Sequence, residues 1–277
     1  MVRKTEETLI FVAFGVPVAI CLLAFFWIVG SLFTGIGTLN PALLTTSVLK
    51  GGYFEMIVGT IYLLLGAAAI SGPIGLFAAI YLVEYAKPGR ITSIIDQAIN
   101  NLAGVPSIVI GLFGYTFFSK QLGLGVSLGA GWMTLASMML PIVIRGSEEA
   151  IRMVPGAFKE AALALGATKW RAVSSTSVSA AAPGIVTSII LGMARVAGET
   201  AAIIAVSCVL ITRGLPKSPL EPVMALSYNL YVRIVALGQP PQEVFGIALI
   251  LFFIVLSFAI VAIMLRTYYR RKQPWLR

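Results

Sequence analysis

The chain has no histidine and only two cysteines, Cys21 and Cys208, in 277 residues. Both cysteines fall inside long apolar runs, which argues against a disulfide framework and against a His/Cys metal site. Charge is also scarce. Asp, Glu, Lys and Arg make up 11% of the chain, whereas an ordinary soluble domain carries about 25%. The phosphate-cradling pattern G-x-x-x-x-G-K-[ST] occurs nowhere, so ATP binding in the P-loop manner is not expected. A membrane-embedded enzyme would need a constellation of nucleophile, acid/base or metal ligands. With no histidine and a single acid-base pair inside an apolar run, the sequence offers little to build one. No catalytic residue, metal or cofactor is expected.

What the chain does have is apolar sequence, at 58% hydrophobic residues. The charge-free runs exceed the roughly 20 residues needed to cross a bilayer as a helix. The pattern predicts an all-α integral membrane protein with six transmembrane helices. The spans are placed at about 9–33, 56–83, 96–119, 125–144, 183–212 and 244–265. Arg3 and Lys4 ahead of the first run superficially resemble a signal peptide, but 25 uncharged residues is too long for one, so the run is read as a retained span. Pro73 between Gly72 and Gly75 suggests a bend in the second span, and Pro183 suits the first turn of the fifth. A proline-bounded segment, 213–243, contains VMALSYNLYVRIVAL, which reads as an amphipathic helix on or dipping into the membrane surface. Three units are expected: 1–55 (first span and outer loop), 56–266 (transmembrane domain with a cytoplasmic loop at 145–182) and 267–277 (basic tail).

The net charge of +9 follows topology rather than a nucleic-acid partner, because the cations sit in short loops and the tail. With the N-terminus inside, fourteen Lys and Arg fall on the inner side and five on the outer, namely Lys50, Lys120, Arg213, Lys217 and Arg233. Both termini are therefore expected to be cytoplasmic, in a multi-pass membrane protein. Trp275 and the basic tail read as an anchor at the lipid interface.

One polar stretch, MVPGAFKEAALALG (153–166), lies among these spans. Val-Pro-Gly breaks the chain, 157–165 holds good helix formers, and Gly166 is a helix stop. Nine residues form a marginal helix in water, which suggests a groove on another protein. Ala161 and Ala162 allow close approach, Phe158, Leu163 and Leu165 offer apolar anchors, and Glu160 can pair with a partner's cation. An ordinary surface helix is the plain alternative, and the residues alone leave both open.

The run EAALALG, followed by ATKWRAV, resembles the EAA loop of ABC importer permeases of the type I, MetI-like fold. The resemblance implies that Glu160, Ala161, Ala162 and Gly166 belong to a helix coupled to a cytoplasmic ATPase. Downstream the chain departs from the family: Thr176, Ser177, Val178 and Ser179 stand where Ile-x-Leu-Pro is usual. NNLAGVPSIVIGLFG (100–114), LPIVIRGSEEAIRMVP (140–155) and ARVAGETA (194–201) resemble, more narrowly, the permease pair of phosphate importers, with GETA favouring the PstA-type subunit. This implies a transport subunit forming half of a phosphate pathway. It also implies a second, PstC-type permease, two PstB-type ATPase subunits, an external PstS-type phosphate-binding protein, inorganic phosphate as substrate, and lipid around the spans.

Arg195 and Glu199 are placed inside the fifth span, and their i, i+4 spacing puts them on one helical face. Each charge would cost about 2.5–3.5 kcal/mol at the bilayer centre, so both should face an interface or cavity. A guanidinium offers a planar, permanently charged fork to a passing phosphate. Glu199 would hold it and neutralise it when no anion is present. An ion pair that merely fixes helix packing is the competing reading. Asn100 and Asn101 are read first as hydrogen bonds across helices and second as pathway lining. Glu148, Glu149 and Arg152 are assigned to the inner loop. The alternatives to a phosphate permease are a permease for sulfate, molybdate or another solute, and a scaffold that docks an ATPase without transporting.

Overall fold

The computed structural model describes the backbone of residues 2–38 and 41–272, and side chains over 13–37, 41–240 and 244–269. Arg3, Lys4 and the tail residues from 270 onward, Trp275 included, lie outside the described side chains. The first helix, α1 (Val2–Phe33), leads through a 3-10 turn and the short α2 (Pro41–Thr45) into α3 (Phe54–Ile80), which ends in a π turn at Tyr81–Tyr85. Next come α4 (Arg90–Gly104), α5 (Ser107–Gly114) with a π turn at Tyr115–Gln121, and α6 (Leu128–Arg152). After α7 (Gly156–Ala164), α8 (Lys169–Ala172) passes through a π turn at Val173–Val178 into α9 (Ser179–Ala197). The short α10 (Leu226–Tyr231) and the long α11 (Pro241–Lys272) complete the described chain.

Among the described residues, five stretches are long and apolar enough to cross a membrane: Ala13–Gly37, Phe54–Tyr85, Leu128–Arg152, Lys169–Ala197 and Val244–Tyr269. Arg90–Gly104 and Ser107–Gln121 are apolar enough together but meet at 102°, the geometry of a broken span or a re-entrant loop. A straight helix over 96–119 is therefore not what forms. Val105 precedes a proline, whose ring disfavours the helical region for the residue before it, and Val105 is extended at φ −68, ψ 130.

Four further expectations need comment. The fifth span begins at Lys169, with Thr168 capping the Arg171 amide, and ends at Ala197, so Pro183 sits inside it rather than in its first turn. The polar residues before Pro183 do not break the helix because they bond their own preceding turns. Ser175 and Thr176 hydroxyls each donate at 2.6 Å to the carbonyls of Arg171 and Ala172. The fourth span runs on to Arg152, which puts Glu148, Glu149 and Arg152 on α6 rather than in a loop. The segment after Pro222 is no surface helix at its start: Val223, Met224, Ala225 and Leu226 are buried, and the Leu226 amide donates to Thr60 Oγ1 of α3 at 3.0 Å. Pro73 leaves α3 uninterrupted.

The centre of the bundle is α3 against α6, with α9 laid across both and α11 packed on α9. Leu63, Leu64, Ala67, Leu135, Met139, Val143, Met193 and Val196 form its main apolar cluster. Lipid is as apolar as leucine, so such packing rests on close fit and internal hydrogen bonds rather than on water exclusion. The Trp132 indole donates to the Tyr62 carbonyl of α3 at 2.8 Å. By contrast, α1 buries none of its apolar stretch.

Candidate functional site

Arg195 stands in the last turn of α9 and Glu199 just beyond it, where Gly198 ends the helix. The pair is therefore not carried on one continuous helix, yet Arg195 Nη1 donates to Glu199 Oε1. The two side chains differ in exposure: 56% for Arg195 and 9% for Glu199. The backbone at Glu199 is held in place, since Ser227 Oγ donates to the Glu199 backbone carbonyl at 2.8 Å and so ties this turn to α10. The turn after it packs on α5, where a Cβ added to Gly111 would come within 2.8 Å of the Ala201 carbonyl oxygen. Chemically the arrangement is a buried anion holding the foot of an open guanidinium. The guanidinium is free to add an anion on its exposed side.

The exposed helix predicted at 157–165 forms as α7, and none of its residues is buried. It stops as expected: Gly166 takes φ 84, a left-handed conformation suited to glycine. Its amide and that of Ala167 donate to the carbonyls of Leu163 and Ala162. Leu165 is 90% exposed, Phe158 and Leu163 each 41%, and Glu160 has no ion pair among the described residues. The helix thus presents small, apolar and acidic groups together, with Glu160, Ala161, Leu163 and Leu165 exposed.

A second polar cluster was not anticipated from the sequence. Arg145 of α6 donates to Asp96 at 2.9 Å and to Glu148 at 2.7 Å, and its Nη2 reaches Asn100 Oδ1 at 3.1 Å. Arg152 donates to the other Glu148 oxygen at 2.8 Å. This cluster fastens α4, one arm of the bent pair, to α6. Asn100 is thereby engaged with Arg145 rather than Arg195, while Asn101 is exposed on α4. The signal was available in the spacing, since Asp96 and Asn100 stand four apart, as do Glu148 and Arg152. It was hidden by ending the fourth span at 144. Glu148→Ala should cost about 1–3 kcal/mol because both arginines lose their shared acceptor. Glu149→Ala, at an exposed position, should stay within about 0.5 kcal/mol. Thermal unfolding of the two purified variants in detergent checks this.

Comparison with known proteins gives the family. Residues 71–273 match the binding-protein-dependent transport system inner membrane component family. The phosphate transport system permease protein PstA of Yersinia pestis is 37% identical over 199 residues, covering 69% of this chain and 67% of that protein. Its counterpart in Haemophilus influenzae is 35% identical over 204 residues, 72% of each chain. PstA 1 of Mycobacterium tuberculosis is 41% identical over 154 residues, where the match spans half of the relative's length. Among solved structures, the inward-facing MetNI methionine ABC transporter superposes with TM-score 0.60 at 20% identity, over 77% of this chain and 96% of that one. A bacterial ABC transporter involved in import of the acidic polysaccharide alginate gives TM-score 0.62 at 14% identity, over 97% and 98%. At such identities these two speak for the fold, which is the MetI-like ABC importer permease fold. The chain belongs to the binding-protein-dependent transport system inner membrane components and, among them, to the PstA-type permeases.

Proposed function

We propose that this chain is the permease subunit of an ATP-driven phosphate importer, forming half of the translocation pathway. The observation that carries the reading is the open guanidinium of Arg195, anchored by buried Glu199, in a chain related to phosphate transport permeases. The transmembrane domain is assigned to 56–266, with its coupling segment at 153–168, between the fourth and fifth spans, and a basic tail at 267–277. Both termini and α7 face the cytoplasm, and the protein sits in the inner membrane. Its partners are a PstC-type permease, two PstB-type ATPase subunits and an external PstS-type binding protein.

In this reading Phe158, Glu160, Ala161, Ala162, Leu163, Leu165 and Gly166 make up the surface that docks on the ATPase. ATP closes the ATPase pair, α7 moves with it, and the spans open the Arg195 cavity toward the loaded binding protein. Hydrolysis returns the cavity to the inside. A phosphate arriving at Arg195 meets a bidentate fork of donors. Glu199 neutralises the guanidinium between substrates, and its charge keeps the anion from being held too tightly to leave. Asn101, and Asn100 through Arg145, would line the pathway at the bent pair.

The complex, purified with this chain and reconstituted in lipid with its binding protein, tests the reading through ATP hydrolysis. Phosphate-loaded binding protein should stimulate hydrolysis and sulfate should not. Stimulation by sulfate instead would keep the permease and change its substrate. Hydrolysis indifferent to any loaded binding protein would leave a docking scaffold.

A further inference from the structure

The α7 helix buries nothing of its own, yet it is not adrift. Lys159, one residue before Glu160, turns inward and donates from Nζ to Glu84 Oε2 at 2.7 Å, across 75 residues of sequence. The Glu84 side chain is 5% exposed and that of Lys159 33%. Next to Glu84, the ring of Tyr85 lies under the ammonium of Lys169, 4.3 Å from its centroid. Glu84 and Tyr85 are the last residues of the π turn that ends the Phe54–Tyr85 span, while Lys169 begins the Lys169–Ala197 span.

We infer that Lys159 and Glu84 are positioning residues that join the coupling helix to the α3 span, so that α7 and the end of α3 move as one body when the ATPase moves. The inference rests on the coupling role proposed for α7. The face of α7 that carries Glu160, Ala161 and Leu165 is left for the ATPase, and the opposite side is held through this ion pair. The span that receives the movement is the one packed most extensively on α6 and also touching α9, whose last turn carries Arg195. A displacement of α7 thus passes through the ion pair to the end of α3 and on through its packing into the centre of the bundle. Lys169 on Tyr85 adds a second, weaker hold on the same two-residue segment.

The test uses the whole reconstituted complex. Lys159→Met and Glu84→Gln should each leave basal ATP hydrolysis within about twofold but lower phosphate taken up per ATP by about tenfold or more. Charge exchange, Glu84→Lys with Lys159→Glu, should recover at least about half of the wild-type ratio, as expected for a direct pair. Wild-type coupling in the single variants, or an exchange no better than either single change, would overturn the inference. A second measurement needs neither phosphate nor transport. Spin labels at Ala157→Cys and Tyr81→Cys, both exposed positions, in a chain with Cys21 replaced by Ser, should keep one separation with and without ATP. With Lys159→Met that separation should shift or broaden on ATP binding. An equal ATP-driven shift in both proteins would overturn the inference even if the solute proves not to be phosphate. Failure of the unaltered complex to respond to phosphate would count against the substrate reading alone.

Discussion

Arg195→Ala should reduce phosphate uptake by the reconstituted complex at least about a hundredfold, while the permease pair and ATPases still purify together. The size follows from two losses that add. The anion loses its bidentate donor, and Glu199, 9% exposed, is left as an uncompensated charge in the path of a second anion. A hydrogen bond to a charged group contributes about 1.5–3 kcal/mol, and each 1.4 kcal/mol is a factor of about ten, so losing a fork of two such bonds amounts to about a hundredfold or more. The open position of the guanidinium limits what the pair adds to stability, so folding should survive. Arg195→Lys keeps the charge but loses the planar fork, and it should fall between wild type and Ala. Uptake of labelled phosphate into vesicles, normalised to assembled complex, measures all three. Normal uptake by an assembled Arg195→Ala complex would leave the ion pair with a packing role only.

Ala161→Arg should abolish ATPase recovery with the permease, lowering affinity by at least about tenfold, with no loss of the permease itself. Ala161 is exposed on a helix with no buried residue, so the change costs the isolated chain no more than about 0.5 kcal/mol. The same position pressed into a partner's groove has no room for an arginine, and forcing large groups into packed sites costs about 1–3 kcal/mol or more. Co-purification of the ATPase subunits with each variant checks this. Wild-type recovery would move the docking surface off α7.

The parts legible in the sequence are those governed by local chemistry. Long apolar runs gave five spanning helices, or six with the bent pair taken as one, and the left-handed glycine at 166 stopped α7 where the sequence said it would. The boundaries that went astray were set by less local effects. Serines and a threonine before Pro183 looked like loop, but their hydroxyls bond back along the helix and let it start at Lys169. Gly104 and Pro106 read as setting a bend within one span, whereas the extended Val105 between them turns the chain by 102°. The pairing of Arg195 with Glu199 was readable from spacing. The unequal exposure of the two side chains was not, because Gly198 ends the helix between them. The i, i+4 pairs within the Arg145 cluster were readable, but one sequence does not reveal that Arg145 reaches Asp96, 49 positions away, or that Lys159 reaches Glu84, 75 positions away.

The central claim, that this permease moves phosphate at the expense of ATP through a path containing Arg195, is tested most directly by uptake into sealed vesicles. The complex would be reconstituted with its binding protein outside and ATP inside, and labelled phosphate followed against excess sulfate. The account predicts ATP-dependent accumulation that sulfate leaves unchanged and that Arg195→Ala removes. Accumulation without ATP, or accumulation that sulfate displaces as readily as phosphate, would contradict it.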